Sequence, residues 1–280
     1  MLDQVLWAGT IGLGRPVSDH VEAAQAAGAP SISLNVDQFD TLDPSGTEVG
    51  ALARHAADHG VAVSILDGLF SWIPLASGRL SARARPMAEV MLLARSLGAR
   101  YVNALVASME LDDETLAEHF AGACDAAAEV GCSVSLEFSP IGGLADLDRA
   151  LRVLRLAGRA NGGVLFDSWH FFRGVPSFET LAAVRDGEIV AVQLSDAAAE
   201  VQGSLWEDTL HHRRLPGDGV FDLERVVRTL LSTGSLVLAG PEVFSDELHR
   251  LGPNEAARLA CRRVDDLVAA AQQPDEGSAR

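Results

Sequence analysis

The feature that most constrains the fold is an alternation of short apolar runs with alanine-rich stretches of helical periodicity. The apolar runs span residues 5–10, 31–35, 63–67, 101–105, 133–137, 164–167, 189–194 and 236–242. The helical stretches span residues 17–27, 47–59, 80–97, 115–129, 144–157, 177–185, 223–232 and 254–272. Runs that are apolar almost throughout are typical of parallel strands buried on both faces. Eight strand–helix units therefore predict an α/β protein built as a closed (β/α)8 barrel.

The domain organisation follows from the same pattern. No boundary divides the sequence, so we predict a single barrel domain over residues 1–272 and a disordered tail over residues 273–280. The alternative is an open, doubly wound sheet, which is disfavoured because no glycine-rich nucleotide motif follows the first run. Candidate N-caps at Ser18, Asp113 and Ser177 support the helix boundaries.

The charged residues exclude several kinds of chemistry. All 22 basic residues are arginine, and 39 acidic residues give a formal charge of −17. Without lysine there can be no Schiff-base lysine, no pyridoxal phosphate anchor and no phosphate-loop lysine. The acidic excess argues against a nucleic-acid partner and against binding to an anionic membrane.

The cysteines and the amino-terminal segment indicate the compartment. Cys124, Cys132 and Cys261 are few and odd in number, which is typical of reduced thiols. The first residues lack the basic region of a signal peptide, and no apolar run reaches the ~18 residues of a membrane span. We therefore expect a cytoplasmic protein.

Polar side chains lie at or near the carboxyl end of every predicted strand, namely Thr10, Asn35, Asp67, Asn103, Glu137, Asp167, Gln193 and Glu242. In a barrel these ends surround one mouth, where the chemistry of such enzymes takes place. Three carboxylates and an amide on strands 5 to 8 would repel one another unless a divalent cation held them together. Glu137, Asp167, Gln193 and Glu242 are therefore candidate metal ligands. The alternative is that each acid only begins a loop or caps a helix.

Further candidates lie beside this ring. His170, three residues after Asp167, could exchange protons near neutral pH, or it could serve only in packing. Arg213 or Arg214, in the long connection over residues 195–222, could bind substrate oxygens as a forked donor.

Aromatic residues follow two of the strands. Trp72 and Trp169 could wall a pocket of the size of a sugar, or they could belong to the core.

These motifs resemble the xylose-isomerase-like TIM-barrel superfamily, in particular its sugar phosphate isomerase/epimerase group. The likeness covers about residues 1–270 and rests on SLEFSP at Glu137, DSWH at Asp167 and His170, VQLSD at Gln193 and Asp196, and GPE at Glu242. The family's arginine, its Pro-Gly-x-Gly turn and the following aspartate are matched by Arg214, residues 216–219 and Asp222. The resemblance implies metal ligation by Glu137, Asp167, Gln193 and Glu242 and catalysis by Glu137, Glu242 and His170. Together with the positions described above, it leads us to expect substrate binding by Arg214, Trp72, Trp169, Asn103 and Asp196.

The sequence departs from the family pattern on strand 7. Gln193 replaces the usual histidine, and Ser195 replaces a neighbouring lysine. An all-oxygen ligand set favours Mn²⁺ or Mg²⁺, with Co²⁺ or Zn²⁺ as alternatives. A strand-7 glutamine is also similar to some bacterial 3-dehydroshikimate dehydratases.

The first functional hypothesis is therefore a metal-dependent isomerase or epimerase of a sugar or related polyhydroxy ketone, acting through an enediolate. The second is a metal-dependent dehydratase, a carbon–oxygen lyase, of a cyclic keto acid or inosose such as 3-dehydroshikimate. An endonuclease is disfavoured by the charge, and a non-catalytic ligand-binding barrel remains a further alternative. We expect a small-molecule substrate, without phosphate, and a homodimer is possible because related barrels often dimerise.

Overall fold

A computed structural model of the chain describes residues 3–74, 84–107 and 110–273. Its core is a sheet of eight parallel strands whose spatial order equals their sequence order. The strands are β1 (Val5–Leu6), β2 (Ser31–Asn35), β3 (Ala62–Leu69), β4 (Tyr101–Leu105), β5 (Ser133–Glu137), β6 (Gly162–Asp167), β7 (Ile189–Leu194) and β8 (Ala239–Pro241). The predicted (β/α)8 barrel is thus confirmed, and it is nearly closed.

Helices connect consecutive strands. They are α1 (Val17–Ala27), α2 (Thr47–Asp58), α3 (Met87–Leu97), α4 (Asp113–Val130), α5 (Leu147–Ala157), α6 (Ser168–Arg173), α7 (Phe178–Ala182), α8 (Leu205–His211), α9 (Leu223–Ser232), α10 (Asp246–His249) and α11 (Pro253–Ala271). Two short 3-10 helices, Ala8–Thr10 and Val36–Phe39, follow β1 and β2. Throughout the described ranges, no helix is both long enough and apolar enough to cross a bilayer.

Several local predictions need correction. Ser18 lies inside α1, whose N-cap is Pro16, and Asp112 rather than Asp113 caps α4. The connection over residues 195–222 was predicted as a loop, but it contains α8. The cause is a Ser204 capping box, which starts a helix too short to show a clear apolar period.

Other predictions fall partly outside the described residues. The predicted helix over 80–97 is seen as α3, and its first residues belong to the range 75–83 that the structure does not describe. The same holds for residues 274–280, so the predicted disordered tail stays a prediction.

The packing inside the barrel places the polar strand-end residues at its mouth. A small apolar cluster is separate from the larger core between strands and helices. It takes one residue from each of four strands and one residue each from directly after β1 and directly before β8, namely Val5, Ile65, Leu165, Ala191, Trp7 and Leu238. Because strand side chains alternate between the two faces, the residue two positions after each inward residue also faces inward. This rule directs Asp67, Asp167 and Gln193 towards the mouth.

The barrel closes between β1 and β8. The Thr10 hydroxyl donates to the Pro241 carbonyl at 2.7 Å and accepts from the Val243 amide at 3.2 Å. Gly240 faces the backbone of Val5 so closely that an added Cβ would lie 1.8 Å from the Val5 carbonyl oxygen. Only glycine permits this seam.

Candidate metal centre

A buried group of polar side chains occupies the mouth of the barrel. Glu137 ends β5, Asp167 ends β6, Gln193 lies in β7 directly beside Asp167, and Glu242 follows β8. All four are at most 4% exposed. The four predicted ligands therefore occupy the mouth, although among the described acids, histidines and cysteines the closest set of ligand atoms is slightly different.

That closest set is Glu137, Asp167 and His170. One ligand atom from each lies within 4.8 Å of the other two. The His170 Nε2 is 3.2 Å from Glu137 Oε1 and 3.8 Å from Asp167 Oδ2. The imidazole, which the sequence suggested for proton transfer, is thus placed where it could also serve as a metal ligand.

Asp167 explains how the motif DSWH brings His170 to this position. Its Oδ1 accepts hydrogen bonds from the backbone amides of Trp169, at 2.6 Å, and His170, at 3.2 Å. An aspartate that caps a helix in this way starts α6 immediately at the end of the strand. The first turn of α6 then returns the His170 ring towards β5.

The buried cation of the site is Arg213, whereas the family motif had pointed to Arg214. The Arg213 guanidinium is sandwiched between the rings of Trp169 and Phe244, with its Cζ 5.2 Å from each ring centre. Its Nη1 donates to Asp167 Oδ2 at 2.8 Å and lies 3.9 Å from Glu242 Oε2.

The remaining contacts of Arg213 hold it firmly in place. Its Nε and Nη2 both contact Thr209 of α8, and Nη1 also approaches the Ser195 hydroxyl at 3.4 Å and the Glu242 carbonyl at 3.3 Å. Each nitrogen of the guanidinium therefore already donates to a protein oxygen.

Arg214 faces the other way and donates to the Asp218 carbonyl at 3.2 Å. The backbone of Arg214 pairs with that of Asp196 in an antiparallel bridge, and side chains that neighbour each other along an extended segment point to opposite sides. Sequence alone does not reveal which of the two arginines faces inward.

The carboxylates of the mouth differ in their tendency to ionise. Burial alone would raise the pKa of Asp167, but Arg213 and His170 hold that pKa below its ordinary value. Burial raises the pKa of Glu242 well above its ordinary value, against the opposing effect of Arg213. Burial and the nearby Glu137 raise the pKa of Asp67 to about 7. An added positive charge would relieve this crowding of acids.

Gln193 gives an independent indication of a ligand. Neither its amide oxygen nor its amide nitrogen has a hydrogen-bond partner among the residues that the structure describes, although the side chain is 1% exposed. An unpaired buried amide is destabilising by about 1–3 kcal/mol unless something binds it. The amide oxygen could coordinate a divalent cation, so the residues present fit such an ion.

Three of the predicted substrate-binding residues are occupied by contacts within the protein. Trp72 donates from Nε1 to the Leu105 carbonyl at 2.8 Å and packs edge-on against Phe120, outside the barrel. Trp169 is fully buried, and its Nε1 donates to Asp208 at 3.0 Å.

Asp196, the third of these residues, organises the Pro-Gly-x-Gly turn. It accepts hydrogen bonds from the amides of Gly217 and Phe221, at 3.2 and 3.0 Å. Added side-chain bulk at Gly219 would collide with its carboxylate, which explains the second glycine of the turn.

Comparisons with known proteins agree with the fold. A family model described as xylose isomerase-like TIM barrel matches residues 21–267. An inosose isomerase from Bacillus velezensis is 27% identical in an alignment of 188 residues that covers 64% of this chain and 66% of the relative. The match thus spans slightly less than two thirds of the relative's length.

Two solved structures share the fold. The crystal structure of the IolI protein with a bound zinc atom has a TM-score of 0.84 at 20% identity and covers 98% of this chain and 100% of that one. The structure of the probable 3-DHS dehydratase AsbF from Bacillus anthracis has a TM-score of 0.70 at 12% identity and covers 92% and 98% of the two chains.

Proposed function

The chain belongs to the xylose isomerase-like TIM barrel family, and on this premise we propose that it is a metal-dependent isomerase or epimerase of an unphosphorylated polyhydroxy ketone. The observation that carries the proposal is the approach of Glu137, Asp167 and His170 to within 4.8 Å beside the unpaired amide of Gln193. The name of the inosose isomerase relative supports a cyclic polyhydroxy ketone as the substrate class.

The proposed cation would be held by Glu137, Asp167 and His170, with Gln193 and Glu242 completing the group. When bound, it would polarise the substrate carbonyl and stabilise the negative charge of an enediolate. A donor set with carboxylates in the majority favours Mn²⁺ or Mg²⁺, and the imidazole leaves Co²⁺ and Zn²⁺ as alternatives.

The two glutamates are placed for the two halves of a proton transfer. Glu137 is held by a hydrogen bond from Asn103 to Oε2, so its Oε1 can take the proton next to the carbonyl. Burial raises the pKa of Glu242 well above its ordinary value, which favours its protonated form and suits it to returning a proton. A base and an acid on different strands are suited to removing a proton from one face and returning it to another position.

The charges of the site favour a neutral substrate. Arg213 is committed to Asp167 and Thr209, Arg173 to Asp208, and Arg214 to Asp218. Arg213 and Arg173 donate from every guanidinium nitrogen to protein oxygens, and Arg214 is exposed and faces away from the mouth. None of the three therefore offers a free guanidinium to a carboxylate or phosphate group bound in the mouth. This favours an inosose or ketose over an acidic substrate.

A dehydratase is the second candidate. The favouring observation is Gln193 on β7, where the family pattern usually has a histidine, together with the AsbF likeness in fold. In this reaction Asp167, Gln193 and Glu242 would hold the cation without His170. Glu137 would again remove the proton, and His170, 3.2 Å from Glu137, would protonate the departing β-hydroxyl group, which leaves as water. The Arg213 contacts make an inosose a better substrate for this reaction than 3-dehydroshikimate.

Exchange of the α proton tests the chemistry shared by both candidates. Purified protein with Mn²⁺ is incubated in D₂O with inososes, ketohexoses and 3-dehydroshikimate, and deuterium incorporation is followed by NMR. We expect exchange in a neutral ketone, and a loss of at least 100-fold in Glu137→Gln and Glu242→Gln. Glu89→Gln, on the outer helix α3, is the matched control.

Ultraviolet absorbance separates the two candidates. A conjugated or aromatic product identifies the dehydratase, whereas exchange and a rearranged ketone without new absorbance identify the isomerase. Absence of exchange in every ketone with Mn²⁺, Mg²⁺, Co²⁺ and Zn²⁺ would reject both.

We also infer a cytoplasmic location from the thiols. Cys124, Cys132 and Cys261 are all buried and free, and burial raises their pKa values to about 12, 11 and 12. Such thiols are inert and need no oxidising compartment.

A further inference from the structure

Asn103 lies at the centre of a row of polar side chains that crosses three strands of the barrel. In the strand register it is paired with Asp67 of β3 on one side and with Ser135 of β5 on the other. It is fully buried, and the sequence had suggested it as a substrate-binding residue.

The hydrogen bonds fix the orientation of the Asn103 amide. Its oxygen accepts from the Ser135 hydroxyl at 3.0 Å, which turns the amide nitrogen towards the carboxylates. The nitrogen then donates to Asp67 Oδ1 at 2.8 Å and to Glu137 Oε2 at 2.5 Å. Because an amide nitrogen has only two hydrogens, none remains for a substrate.

These hydrogen bonds determine how the carboxylate of Glu137 is oriented. One of its oxygens is fixed by Asn103, and the other lies 3.2 Å from His170 Nε2. Without Asn103, no hydrogen bond between described residues would hold Oε2, and the carboxylate could rotate away from His170.

We propose that Asn103 and Asp67 are positioning residues: the Asn103 amide holds Glu137 against His170, and Asp67 holds the amide. This inference rests on the proposed function, because Glu137 is the group proposed to take the proton. It replaces the earlier suggestion that Asn103 binds substrate. Asp67 acts here as a hydrogen-bond acceptor, so an uncharged acceptor of the same shape should serve.

Two pairs of variants test the proposal. Asn103→Leu removes both donated hydrogen bonds at similar volume, and Asp67→Leu removes the acceptor. Asp67→Asn keeps an acceptor oxygen in the same place. Asn161→Leu is the matched control, because Asn161 also donates to a neighbour, the Cys124 carbonyl at 2.7 Å, but lies at the opposite end of β6.

The first readout is Mn²⁺ affinity, measured from free Mn²⁺ by electron paramagnetic resonance well below the melting temperature of each variant. We expect Asn103→Leu and Asp67→Leu to bind Mn²⁺ about 10- to 100-fold more weakly, as is usual when the partner of a metal ligand is removed. Asp67→Asn should stay within about 3-fold of wild type, because it keeps the acceptor oxygen. A proton-transfer role for Asp67, or a simple loss of folding, would not explain such a difference between the asparagine and the leucine variants. Asn161→Leu should lower the melting temperature without changing the affinity.

The second readout is independent of metal. Crystal structures of wild type and Asn103→Leu compare the distance from Glu137 Oε1 to His170 Nε2, which we expect to lengthen beyond hydrogen-bond range. Unchanged Mn²⁺ affinity with an unchanged distance would overturn the proposal, as would an Asp67→Asn defect as large as that of Asp67→Leu. A wild type that binds no Mn²⁺ would instead count against the proposed function, and the crystallographic comparison would still decide the positioning role.

Discussion

Replacing Arg213 by methionine should strongly destabilise the protein, because it removes the cation buried in the site. Methionine can still fill the space between the rings of Trp169 and Phe244. However, the fully buried Asp167 then loses its 2.8 Å partner, and Glu242 loses the nearest positive charge. Breaking one side of a buried ion pair lowers the free energy of unfolding by about 3–5 kcal/mol.

The pH dependence of this loss has a defined sign. In wild type, the pKa of Asp167 lies below its unfolded value, so its stabilising effect is full above that unfolded value and disappears as the pH falls through the folded pKa. Without Arg213, burial dominates and raises the pKa of Asp167 above the unfolded value. The variant then gains stability relative to wild type as the pH falls, because protonation neutralises the buried carboxylate.

Urea unfolding at pH 8 and pH 5.5, with a chelator present so that no metal replaces the guanidinium, measures both effects. We expect a deficit of about 3–5 kcal/mol at pH 8 and a smaller one at pH 5.5. Arg214→Met is the matched control and should change the free energy of unfolding by no more than about 0.5 kcal/mol. A deficit below about 1 kcal/mol at pH 8, or one that grows on acidification, would refute the reasoning.

Three further predictions concern the scaffold. Burial lowers the pKa of His20 to about 4. Because the unfolded chain then binds a proton that the folded chain does not, the free energy of unfolding should fall by roughly 3 kcal/mol as the pH falls from 6.5 towards 4. Urea unfolding of His20→Leu should show no such loss. Gly240→Ala should lose more than about 3 kcal/mol or fail to fold, because the new methyl group would meet the Val5 carbonyl; a folded variant of wild-type melting temperature would contradict this. Gly122→Ala, on the exposed side of α4 with no neighbour within 4 Å, should instead gain up to about 1 kcal/mol, and a lower melting temperature would contradict that.

Much of the fold could be predicted because strands and helices of a barrel have different apolar periods. The runs at 31–35, 101–105, 133–137 and 189–194 match strands β2, β4, β5 and β7 to the residue. The first run was too long, because the strand ends at Leu6 and a 3-10 helix begins at Ala8. Apolar residues in that turn are buried like those of a strand, so the apolar pattern does not show where the strand ends and the turn begins.

The candidate site was predictable in its location and less so in its contacts. Polar residues at strand ends indicated the mouth, and the structure brings Glu137, Asp167 and His170 together there. The choice between Arg213 and Arg214 depends on a backbone bridge between residues distant in sequence. The burial of Trp72 against Phe120 depends likewise on packing that leaves no local signal.

The seam between β1 and β8 also bears on how the chain folds during synthesis. Thr10 and Pro241 are 231 residues apart, and closing a loop of that length opposes folding by about 5 kcal/mol of chain entropy. The first strand made must therefore wait at an open edge until the last strand emerges from the ribosome. Because β1 is only two residues long, that waiting edge offers few unpaired backbone groups to another nascent chain.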